Sequence, residues 1–134
     1  MFALDTNTVS FLLRGEGRVA ERLIETDPAK VAIPTVVLHE LRYGLLRMSP
    51  AAAAARRREH LEQFIGCITI LPLDERSAAE AAAIRVELER LGTPIGPFDV
   101  LIAGTARAHG ATLVTHNTRE FGRIEGLVVE DWYS

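Results

Sequence analysis

Met1-Phe2-Ala3-Leu4-Asp5-Thr6-Asn7-Thr8 opens the chain and decides its architecture. Phe2 to Leu4 reads as a short buried strand, and Asp5-Thr6-Asn7 offers three residues of the kind that cap a helix, which Thr8 to Leu13 continues. The same strand-to-helix unit recurs downstream. Lys30 to Ile33, Cys67 to Leu71 and Thr112 to Thr115 read as further strands, with Leu127 to Val129 as an edge strand. Helices are predicted at Arg18 to Glu25, at Val36 to Met48, and from a Ser49-Pro50 start, read as N-cap and first helical residue, to about Phe64. Two more follow at Ser77 to Leu91 and Phe98 to His109, stopped by Gly92 and Gly110, with the turn-rich Gly92-Thr93-Pro94-Ile95-Gly96-Pro97 between them. Strands alternating with helices imply an α/β fold: a mostly parallel sheet of four or five strands covered on both faces, a three-layer α/β/α domain.

The 134 residues fit one domain, spanning the whole chain, and are enough to bury roughly 68 to 70% of the unfolded surface. No apolar run approaches the ~18 residues of a membrane span, and Met1 to Leu4 leads into Asp5 without a signal-like segment, so a cytoplasmic protein is expected. The single Cys67 has no intramolecular partner and, among the apolar residues Ile65 to Leu71, is expected to be a small core residue. A net charge of -3 argues against binding nucleic acid through overall positive charge. It does not argue against a nuclease, because clustered carboxylates are offset by metal. Arg56-Arg57-Arg58 is a local basic run, read as a solvated helix face in preference to a phosphate contact.

Ligands of parallel sheets gather at the carboxyl ends of the strands. Asp5 stands at such an end, where helix capping and metal ligation are equally good readings. Glu40 lies beside the helical face of Val37, Leu41, Gly44 and Met48, and a carboxylate bordering buried surface is costly unless paired or bound to metal. Its alternative is to snorkel outward or pair with an arginine. Asp99 shares a face with Ile102, Ala103 and Ala106 and is expected to point inward, although an Asp in a first helical turn is also favoured by the helix dipole. Asn117 ends the fourth strand, where a helix cap is as good a reading as ligation, and Glu120 would support that cap from the first turn.

Four segments together carry a family resemblance: Asp5-Thr6-Asn7 after the first strand, His39-Glu40-Leu41-Arg42-Tyr43-Gly44 within a helix, Gly96-Pro97-Phe98-Asp99 opening another, and Leu113-Val114-Thr115-His116-Asn117-Thr118-Arg119-Glu120-Phe121. In this order and spacing, through to Glu130-Asp131-Trp132, the chain resembles the PIN-domain family, and specifically the VapC toxins. The resemblance implies an Mg²⁺- or Mn²⁺-dependent endoribonuclease that hydrolyses RNA phosphodiester bonds. It also implies inhibition by a small VapB-type antitoxin, and a homodimer or toxin-antitoxin hetero-oligomer. Asp5, Glu40 and Asp99 match the family's core acidic residues and are the implied metal ligands. Asn117 falls where many members carry a fourth Asp, and joins the catalytic set in that place, with Glu120 beside it as a candidate for a water-mediated contact. A PIN fold that binds without catalysis, or serves as a regulatory partner, is the competing reading that this substitution raises.

Around the acidic set, Arg42, Arg119 and Arg123 are candidate phosphate contacts, and Tyr43 and Phe98 candidate stacking partners for an unpaired base. His39 and His116 flank the site in sequence but are not expected to act as general base. A groove between the early helices, with apolar surface from Phe11, Leu12 and the Ala51 to Ala55 segment, is the expected seat of the antitoxin.

Overall fold

The computed structural model describes all residues, 1 to 134. Its strands are β1 (Phe2–Leu4), β2 (Val31–Pro34), β3 (Thr69–Leu71), β4 (Thr112–Val114) and β5 (Val129–Glu130). They form one sheet in the order β3-β2-β1-β4-β5, parallel throughout. Helices α1 (Thr6–Arg14), α2 (Val19–Ile24), α3 (Thr35–Arg47), α4 (Ala51–Ile65), α5 (Glu75–Arg90), α6 (Pro97–Ala108) and α7 (Thr118–Phe121) fill the connections. The α/β architecture expected from the alternation is the one observed.

That strand order places the site. The chain builds outward from β1 to β2 and β3, then returns to the other flank of β1 for β4 and β5, so strand order reverses between β1 and β4. A crevice opens outside the carboxyl ends of strands at such a switch point. Leu4 pairs with Val114, and the Asp5 N–H donates to the Val114 carbonyl (3.1 Å), so the residues leaving β1 and β4 are held side by side. Beneath them the central strands bury Ala3, Leu4, Val31, Ala32, Ile33, Leu113 and Val114 completely, the floor of the core.

Several boundaries differ from the sequence expectation for local reasons. Asp5 caps α1 directly, so that helix starts at Thr6. Pro50 holds an extended conformation (φ -76°, ψ 164°), and its carbonyl accepts from Ala53 and Ala54; α4 therefore begins at Ala51, and Ser49 is not its cap. The third strand is confined to Thr69–Leu71. Cys67 lies in the turn that closes α4, with its N–H bonded to the Phe64 carbonyl, and is exposed rather than in the core. Asp74 caps α5 by accepting from the Ser77 N–H (2.8 Å), which starts that helix two residues before Ser77. The last strand is shifted to Val129–Glu130, because Leu127 turns inward to the core.

α6 lies against α5 at close range, and this contact positions the first turn of α6. A β-carbon built on Gly104 would fall 2.6 Å from both Cβ and N of Ala81, so only glycine permits the two backbones to meet there. Ile102, Ala103 and Ala106 of α6 are buried as their shared face predicted.

Candidate active site

Asp5 is both cap and candidate ligand. One oxygen, Oδ1, accepts from the Thr8 N–H (2.9 Å), and Thr8 Oγ1 donates to the Val114 carbonyl (3.1 Å), tying the start of α1 to β4. The side chain is only 5% exposed, and burial raises its pKa against the opposing hydrogen bonds from Thr115 and Thr8. A buried carboxylate with a raised pKa lacks enough compensating positive charge.

Glu40 reaches the same crevice from α3. Its Oε1 accepts from Thr6 Oγ1 at 2.6 Å, so the second residue after β1 orients a carboxylate from the neighbouring connection. It has no arginine partner, as Arg42 pairs with Glu62 of α4 instead (2.6 Å). Asp99 arrives in the first turn of α6, after Gly96 as cap residue and Pro97 as first helical residue. Its pKa is pushed up to about 6, first by burial and then by the charges of Glu40, Asp5 and Glu120. That dependence brings four carboxylates from four elements into one electrostatic neighbourhood.

Glu120 is the member that the sequence assigns to capping and, beside it, to a water-mediated contact at the site. Asn117 caps the four-residue α7: its Oδ1 accepts from the Glu120 N–H (3.4 Å) and its Nδ2 donates to Glu120 Oε2 (2.9 Å). The amide thus holds a carboxylate one turn away. Thr115, fully buried, supports both sides by accepting the Asn117 N–H (3.0 Å) and bonding Asp5. The sequence signal is the three-residue spacing from Asn117 to Glu120, which fits the cap and the water-mediated contact alike.

The donor set fits a hard divalent cation: it is all oxygen and acidic, and burial together with the charges of Glu40, Asp5 and Glu120 raises the proton affinity of Asp99 for want of a counter-charge. No three Asp, Glu, His or Cys side chains are gathered closely enough here to hold a metal ion by themselves. An open arrangement suits a cation such as Mg²⁺, which keeps several of its waters.

Neighbouring residues sort by direction. His116 leaves the carboxylates to bond Asp131 (3.0 Å), and His39 packs near Tyr43 and Phe98. Tyr43 and Phe98 are 54% and 46% exposed, free to meet a ligand. Arg42 is engaged with Glu62, whereas Arg119 and Arg123 are exposed and form no ion pair. Arg57 is not simply a solvated residue of its basic run: it is half-buried and lines a groove of about 220 Å³ with Thr6, Ser10, Glu40, Gly44 and Leu61. This is the groove expected between the early helices, with different walls. Phe11 lies on the other flank of α1 against Tyr133, and neither Leu12 nor Ala51 to Ala55 lines it. A second groove, about 600 Å³, runs between α5 and α6 and contains none of the four clustered carboxylates.

Comparison with known proteins agrees with this geometry. A relative in Shigella flexneri named tRNA(fMet)-specific endonuclease VapC is 39% identical over 131 residues, covering 98% of this chain and 97% of the relative. Among solved structures, the DNA-bound VapBC complex of Salmonella typhimurium superposes with a TM-score of 0.88 at 39% identity, covering 98% of this chain and 97% of the other. The VapBC2 complex of Rickettsia felis, bound to a fragment of its promoter, gives a TM-score of 0.89 at 31% identity, with 98% of each chain covered. No helix of the present chain is long and apolar enough to cross a membrane. The PIN domain model matches residues 2 to 127, and the chain belongs to the PIN-domain family, in its VapC branch.

Proposed function

We propose that this protein is the toxin of a VapBC-type pair, a cytoplasmic endoribonuclease whose acidic cluster holds Mg²⁺ or Mn²⁺ and hydrolyses RNA phosphodiester bonds. The single observation that carries the reading is the convergence of Glu40, Asp5 and Glu120 on a part-buried Asp99, whose proton affinity burial and their charges raise. Asp5, Glu40 and Asp99 are the proposed ligands, and Asn117 acts through Glu120, which it holds toward them. When bound, the cation makes water a stronger nucleophile at neutral pH and offsets the charge that develops on phosphate oxygens. Thr6 fixes the Glu40 carboxylate so that it faces the crevice, where it orients the attacking water or shares the cation. The unpaired Arg119 and Arg123 supply positive charge for the RNA backbone beside an otherwise acidic surface.

The relatives' names support transfer RNA as the first substrate to test, and the solved complexes support a cognate antitoxin as partner. The groove lined by Thr6, Ser10, Glu40, Gly44 and Arg57 is the proposed antitoxin seat, since a segment lying there runs directly to the carboxylates. The assembly is a homodimer or toxin-antitoxin hetero-oligomer, and the apolar α5/α6 groove offers surface for it. Purified protein with Mn²⁺ is expected to cleave total transfer RNA, and chelation or stoichiometric antitoxin to stop it. Absence of cleavage under any metal condition would reject the enzyme reading and leave the non-catalytic binding module.

Gly44 gives a separate test of the groove. A β-carbon there meets nothing within 4 Å, so the fold does not require glycine. Gly44→Ala is expected to stabilise the free protein by about 1 kcal/mol in urea melts, the usual helix-interior difference. The same methyl group enters the groove, and antitoxin affinity measured by calorimetry should fall. Undiminished affinity would place the antitoxin elsewhere.

A further inference from the structure

His116 emerges from β4 just ahead of Asn117, and three contacts fix its ring. Nδ1 lies 3.0 Å from Asp131 Oδ2, whose other oxygen accepts the Tyr133 N–H (2.8 Å). Tyr133 packs along the ring with centroids 4.4 Å apart and planes 32° apart, while Phe11 meets it edge-on at 5.7 Å. Tyr133 is itself immobilised. Phe11 packs at 4.7 Å, and the ring lies so close over Gly17 that a β-carbon there would come within 2.6 Å of it. The imidazole nevertheless remains 46% exposed. A half-exposed planar group held in one orientation by a hydrogen bond and two rings is pre-organised for a flat ligand, because little rotamer freedom remains to be lost on contact.

Its place in the fold says which flat ligand. The sheet order puts β4 on one side of β1 and β2 on the other, so His116 stands on one flank of Asp5 while α3, which follows β2, stands on the opposite flank. That opposite flank carries the exposed Tyr43 and Phe98, linked through His39 with centroid spacings of 6.5 and 5.8 Å. Aromatic groups therefore border the carboxylates on both sides. A strand crossing the acidic cluster would pass each in turn. Paired bases in an A-form helix have their faces covered by their neighbours, whereas unpaired bases are free to stack on side chains.

We infer that His116, backed by Tyr133 and held by Asp131, is a stacking platform for an unpaired base next to the scissile phosphate, so that the protein grips its RNA as single strand. This rests on the ribonuclease reading above and adds to it a residue that determines which form of RNA is accepted. Stacking on an aromatic side chain is tolerant of base identity, so the platform selects for unpaired structure more than for sequence.

The test uses the full-length protein with Mn²⁺ and an oligoribonucleotide spanning a cleavage site mapped on total RNA, either free or annealed to its complement. The free strand should be cut and the duplex cut at least about tenfold more slowly. His116→Ala should raise KM for the free strand by about tenfold, the order expected for one lost stacking contact, with kcat little changed. His116→Phe keeps a stacking ring without ionisable nitrogens and should retain a KM near that of wild type. It also serves as the test variant if His116→Ala fails to fold, which thermal melting will show. An unchanged KM in His116→Ala overturns the inference, as does a His116→Phe protein that folds but binds the free strand about tenfold more weakly than wild type. Equal cleavage of free strand and duplex by wild type also overturns it while leaving the nuclease reading intact. Failure of wild type to cut any RNA removes both.

Discussion

Replacing Asp99 by Asn is expected to reduce RNA cleavage by at least about 10²-fold, the scale of losing a few kcal/mol of transition-state charge stabilisation, while the fold survives. Asp99 is the member of the cluster on which the other charges converge. Its carboxyl is pushed up to about 6 from an ordinary 3.8 by burial, then by Glu40, Asp5 and Glu120. The sign of the stability effect follows. A carboxyl whose proton affinity is higher in the folded state stabilises the fold fully below pH 3.8, and that contribution is lost as pH rises through about 6. Metal-free wild type at pH 7 therefore carries a destabilising charge that Asp99→Asn removes. The melting temperature of Asp99→Asn minus that of wild type should grow from pH 4 to pH 7, and Mn²⁺ should narrow it by stabilising wild type alone. A difference that stays flat with pH, together with cleavage like wild type, would mean that Asp99 stands outside the site.

The second large effect is structural. Gly104→Ala places a methyl group 2.6 Å from the Ala81 Cβ and backbone N and 2.7 Å from its Cα. Relief requires α5 and α6 to separate, and forcing an extra methyl into a tight contact costs about 1 to 3 kcal/mol. For a domain of this size that corresponds to a melting temperature lower by roughly 4 to 11 °C. Activity should fall as well, because α6 carries Asp99 in its first turn and moves as a unit. Ala81→Gly in the same chain removes one of the clashing atoms but not the backbone N, so it should restore only part of the loss. A Gly104→Ala protein as stable as wild type would show that the two helices are not held at this distance.

How much was legible in the sequence depended on whether local pattern and tertiary role coincided. Asp5 was legible because a strand followed at once by a capping residue has one place to go, the carboxyl end of a parallel sheet. Glu40 and Asp99 were legible because their helical faces are periodic and long enough to show which side is buried. Glu120 was not. It sits on a helix of four residues, too short for periodicity, and its spacing from Asn117 is the same for a cap as for a carboxylate presented to the crevice. Phe11 was assigned to the groove from its apolar character alone, yet a helix turns by about 100° per residue, and its neighbours Ser10 and Leu13 face the groove while Phe11 faces Tyr133. Cys67 was placed in the core because its neighbours are apolar, but the turn closing α4 consumes that residue before the edge strand begins. The switch point between β1 and β4 depends on strand order, which no local pattern encodes.

These residues converge on one claim: the acidic cluster between β1 and β4 is a divalent-cation site with Asp99 at its centre. Calorimetric titration of Mn²⁺ into the metal-free protein at pH 6, repeated in two buffers of different ionisation enthalpy, tests it most directly. Wild type should bind with a heat that differs between the buffers, because at pH 6 the cation displaces the proton from the protonated fraction of Asp99, and Asp99→Asn should lose both the binding and that difference. Equal Mn²⁺ binding by the two proteins, or none by wild type, would contradict it.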